Sequence, residues 1–78
     1  MISATEANVM TRKAKFANSA YARLAEVTIS ESASCGESET DILIPLEIVP
    51  DMVEFLTDNG YECIVTGAIT GAIVNAAW

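Results

Sequence analysis

The chain has 78 residues, 51% of them hydrophobic, with 11 acids, four bases, two cysteines and no histidine, for a net charge of −7. One small domain of this size buries only roughly 60 to 65% of its unfolded surface. The composition excludes disorder and a disulfide framework and leaves a structural zinc site almost without ligands, so self-association is the remaining route to added stability. All four bases, Arg12, Lys13, Lys15 and Arg23, precede Leu24 with the single acid Glu6, and ten acids and no base follow. That body repels phosphate backbones and anionic membranes, and suits a neighbour's basic arm in a head-to-tail contact.

Ser3-Ala-Thr-Glu6 has the spacing of a capping box and opens a helix. Met10, Ala14, Ala17, Tyr21 and Leu24 recur at helical spacing with Phe16, Ala20 and Val27 on the flank, a stripe rich in alanine. The β-branched run Val27-Thr28-Ile29 and then Gly36 end it between residues 29 and 35. A helix from 3 to 33 is about 45 Å long, against about 20 Å for a six-residue strand. It must therefore overhang the sheet as an arm or break, and Ala17-Asn18-Ser19 is where the turn is weakest.

Residues 40–48, TDILIPLEI, alternate, with Ile42, Ile44, Leu46 and Ile48 on one face of a strand and Pro45 marking an edge. Pro50 and Asp51 start a second helix to Asn59, with Val49, Met52, Val53 and Leu56 as its apolar face, Phe55 beside them and Gly60 as a left-handed cap. From Tyr61 the period is two: YECIVT and AIVNAAW are strands joined by the five-residue link GAITG. Sixteen uncharged residues, 63–78, are too few to span a membrane as a helix, so the GxxxG of Gly67 and Gly71 belongs to a hairpin.

The prediction is an α+β fold, αβαββ, with a long N-terminal helix (1–35, an assembly arm) and a short second helix on one face of a three-stranded antiparallel sheet (40–78). The one-sided alternation favours sheet order 1-3-2. A helix ending at Gly36, a second whose Leu56 lies four residues before Gly60-Tyr61, and a hairpin closing on Trp78 make a pattern that resembles small proteins of tailed bacteriophages. The resemblance spans nearly the whole length and implies a viral origin, with no activity attached. Those proteins usually carry lysines in the hairpin, and GAITGAIVNAAW has none.

No constellation asks for catalysis, and no cofactor or metal is expected. A nucleophilic cysteine or serine lacks a histidine base, Cys35 follows a helix C-terminus, which raises a thiol pKa, and Cys63 reads as a small core residue. Asp51, Glu54 and Asp58 share a helix face that reads as solvated. Together with Glu37, Glu39, Asp41, Glu47 and Glu62 they offer the alternative of an acidic inhibitor of a basic host or nuclease surface, a host-takeover or anti-defence role. The favoured expectation is a non-enzymatic, homo-oligomeric virion protein, as capsid decoration, neck or tail. It is made in the host cytoplasm, without a signal peptide, and binds itself and other viral structural proteins, not nucleic acid or membrane. Arg12, Lys13, Phe16, Arg23 and Ile69 are the predicted contact residues. Ile64, Ile69, Ile73 and Ala77 form a second candidate interface if the helices leave them uncovered.

Overall fold

The computed structural model describes residues 1–67 and 69–78 in full and the backbone alone at Ala68. Helix α1 (Ala4–Ala17) begins where predicted, with the Glu6 N–H donating to the Ser3 hydroxyl at 3.1 Å. It stops at Asn18, whose side-chain amide and backbone N–H both donate to the Ala14 carbonyl. Ser19 is extended, with ψ 163°, and its hydroxyl accepts the Ala22 N–H to start α2 (Ala20–Ser34). The N-terminal segment is therefore two helices, broken at the weak turn, where Asn and Ser offer the backbone local partners that alanine lacks.

That break overturns the predicted stripe. Met10 and Leu24 are 59% and 44% exposed, while Ala22 and Ala25 are fully buried with Tyr21 and Ile29 packed beside them. A 3.6-residue period holds only within one helix. An extended residue at 19 resets the phase, so the inward face of α2 is set afresh.

Both α2 and the later helix α3 (Val49–Asp58) end in the same closure. Gly36 at φ +83° and Gly60 at φ +88° donate to Ala33 and Thr57, and the next N–H groups, of Glu37 and Tyr61, reach back to Ser32 and Leu56. Strand β1 (Glu39–Ile44) is shorter than predicted. Pro45 has no N–H for a ladder, and Leu46–Ile48 turn into a single 3-10 turn that leaves Leu46 64% exposed and only Ile48 against the core. Met52 and Leu56 of α3 are buried, with Val49, Val53 and Phe55 alongside, as the apolar face predicted.

Strands β2 (Glu62–Ala68) and β3 (Gly71–Ala77) are joined through Ile69 and Thr70 alone, a tighter hairpin than GAITG suggested. The sheet is antiparallel throughout in order β1-β3-β2, with Ile42 opposite Val74 and Val65 opposite the same Val74 from the other side. The core lies between the inner face of this sheet and α2 and α3: Ala25, Ile42, Ile44, Met52, Leu56, Val74 and Ala76. Helix α1 buries no residue. Accordingly the radius of gyration is 13.4 Å, against about 11.5 Å for a compact chain of this length.

Candidate functional site

Three of the five predicted contact residues are brought together, on α1. Arg12 Nη2 lies 3.2 Å and 3.3 Å from the two carboxylate oxygens of Glu54, and Lys13 Nζ lies 3.0 Å from Asp58 Oδ2 and 4.0 Å from Glu54 Oε1. Phe16 meets Phe55 edge to face, ring centroids 5.5 Å apart. The basic arm thus meets an acidic helix as its charge suggests, but the helix is α3 of the same chain. Arg23 is exposed on α2 and Ile69 projects fully exposed from the hairpin tip.

Exposed ion pairs of this kind contribute under about 1 kcal/mol each, since water and salt screen them. The aromatic pair carries more. Phe16→Ala is expected to cost about 1–2 kcal/mol and to fray α1 first, seen as lost helical circular dichroism below the main unfolding transition. A single unchanged transition would show that α1 is held by something else.

The remaining chemistry is sparse. Cys35 and Cys63 are both free thiols. Burial pushes the Cys63 thiol up, offset in part by a hydrogen bond with Thr57, so it is less reactive than an ordinary cysteine. Among the described residues no three His, Cys, Asp or Glu side chains gather as a metal would require. Glu54 and Asp58, two of the three acids in the row on α3, are taken up by Arg12 and Lys13.

The outer face of the sheet is the larger feature. Because Ile42, Ile44, Ala72, Val74 and Ala76 point to the helices, strict alternation puts their neighbours on the other side. The strand register stacks these neighbours in rows: Glu39, Ala77 and Glu62; then Asp41, Asn75 and Ile64; then Leu43, Ile73 and Thr66. Asn75 Nδ2 donates to Asp41 Oδ1 at 2.9 Å within the middle row. The face runs from acidic at the Trp78 end to apolar at the hairpin end.

Among the described residues no helix packs on this face, and its central-strand residues Ile73, Asn75 and Ala77 are half-buried between their strand neighbours. Leu43 is 59% and Ile64 67% exposed, and both are β-branched or branched aliphatics in mid-strand. Trp78 stands at the acidic end, edge to face with Tyr61 at 6.0 Å. Compared with family models, with curated proteins and with solved structures, the chain finds no match. Among the described residues no helix is long and apolar enough to cross a membrane. Leu43 is exposed on this face and is not among the residues the sequence singles out: it alternates with Ile42 and Ile44, and its exposure depends on what packs on that side.

Proposed function

We propose that the protein is a non-enzymatic assembly module that pairs with further copies of itself through the outer face of its sheet, as a virion component of a tailed bacteriophage. The observation that carries the assembly reading is the apolar end of that face, where Leu43 and Ile64 are exposed on either side of a half-buried Ile73, on a chain whose surface is larger than its mass requires. The accessible surface is 5279 Å² for 8.3 kDa, against about 4,600 Å² for a compact monomer.

A second copy is the fitting occupant. Stacked about a two-fold axis that passes through the apolar ends, with strands reversed and the overlap confined to that part of the face, each apolar end lies at the middle of the pair and each acidic end overhangs, so the carboxylates of the two copies stay apart. The phage reading rests on the pattern of Gly36, Leu56, Gly60, Tyr61 and Trp78, and these residues have physical duties that such a small fold needs: two helix closures, a core leucine and an aromatic pair that joins the residue before β2 to the residue after β3. The acidic-inhibitor alternative loses ground because Glu54 and Asp58 are already paired within the chain.

Sedimentation of the purified protein tests the assembly. Leu43→Glu with Ile64→Glu is expected to lower the association constant at least about 100-fold while leaving the circular dichroism spectrum unchanged, since two buried carboxylates without partners are costly. An assembly no smaller and no weaker than that of the wild type after this pair of changes would sink the sheet-face reading. Mass spectrometry of purified virions tests the location, and consistent failure to detect the protein there would remove it.

A further inference from the structure

The link between α1 and α2 is short and unusually close to being helical. Asn18, at φ −96° and ψ 4°, is near the helical region, and only Ser19, at φ −82° and ψ 163°, is extended. Rotation of chiefly one torsion, ψ of Ser19, toward the helical value near −42° would make 4–34 a continuous helix about 46 Å long. Straightening removes the Ser19 cap on the Ala22 N–H. In exchange, the N–H groups of Ala20 and Tyr21 gain the carbonyls of Phe16 and Ala17, one helical turn back.

A straight helix cannot keep α1 on its own α3. We propose that α1 is exchanged between two copies, so that Arg12, Lys13 and Phe16 of each dock on Glu54, Asp58 and Phe55 of the other. Exchange preserves every α1–α3 contact of the single chain, including the two ion pairs and the Phe16–Phe55 pair. Those contacts cancel between the two forms, and the balance is set by the hinge and by the cost of association. The contact to be opened first is small: α1 buries no residue, and its ion pairs are exposed.

This deepens the assembly reading and rests on it for the expectation of homo-oligomers, but it uses a separate surface. The discriminating substitution is Ala20→Pro. Position 20 is the first residue of α2 and Ser19 before it is already extended, the setting that proline prefers at a helix start. In a continuous helix the same proline is interior and strongly disfavoured, by at least about 100-fold for each hinge. Ser19→Ala acts oppositely by removing the cap.

With both contacts available, sedimentation equilibrium of the wild type is expected to show species larger than a dimer. Leu43→Glu/Ile64→Glu leaves the arm-exchanged dimer, Ala20→Pro leaves the sheet-paired dimer, and the three changes together give a monomer. Ser19→Ala in the Leu43→Glu/Ile64→Glu background strengthens the remaining dimer. A Leu43→Glu/Ile64→Glu protein that is already monomeric, or whose dimer persists after Ala20→Pro is added, overturns arm exchange. An Ala20→Pro protein that is monomeric overturns the sheet-face contact instead. Circular dichroism of each variant confirms that the fold is kept.

Discussion

Leu56→Ala is expected to lower the unfolding free energy by about 2–5 kcal/mol, measured as a shift of the urea midpoint with the slope unchanged. Leu56 is 1% exposed and sits with Met52 on the face of α3 that closes the core over Ile42, Ile44 and Val74. Removing three carbons there loses their transfer free energy and leaves a cavity that helix and sheet cannot both collapse to fill. A chain of 78 residues has only about 4–12 kcal/mol in total, so this one change takes a large share of it. Leu56→Met keeps most of the volume and should cost under about 1.5 kcal/mol. A cost below about 1 kcal/mol for Leu56→Ala would mean that the core is not centred on α3.

Gly71→Ala is the second large effect, and its contrast with Gly67→Ala makes it specific. A Cβ at Gly71 would stand 2.5 Å from the Ile44 carbonyl oxygen and 3.3 Å from its carbon, both backbone atoms of β1. Backbone in a paired strand cannot turn away as a side chain does, so β1 must leave β3 near the Ile44–Ala72 pair. The expected cost is about 3 kcal/mol, at the upper end for overpacking. Gly67 lies on β2 opposite Ala72, and a Cβ there meets nothing within 4 Å. Gly67→Ala should be neutral or stabilising by up to about 1 kcal/mol, because glycine in a strand costs chain entropy. Thermal melts of the two variants that move together would refute this placement of β1. The GxxxG spacing therefore holds two unlike glycines, one required by a close backbone approach and one replaceable.

Much of this architecture was legible because local chemistry decides it. The Ser3 cap, the glycines that close α2 and α3, the apolar face of α3 and the alternation of β2 and β3 each depend on residues within one turn or one strand. The one-sided alternation also pointed to the antiparallel order β1-β3-β2. The errors lie where a pattern was extended past a local interruption. Leu46 continued the alternation of Ile42 and Ile44 on paper, but Pro45 removed the donor that the next ladder step needs. The stripe from Met10 to Leu24 was read through Asn18-Ser19 as though the helix were unbroken.

For the candidate surfaces the division is similar. The sequence by itself determined that the basic residues are confined to the first 23 positions, within a helical segment that also carries Phe16, and that the hairpin is short of charge. Only the tertiary structure decided that this arm meets Glu54, Phe55 and Asp58 of its own α3, some forty residues away, because such a contact depends on the angle at Ser19. Only the tertiary structure, likewise, put both packed helices on one side of the sheet and left Leu43 and Ile64 exposed on the other, flanking a half-buried Ile73. Alternation says that a strand has two faces; which face is covered depends on where distant helices dock.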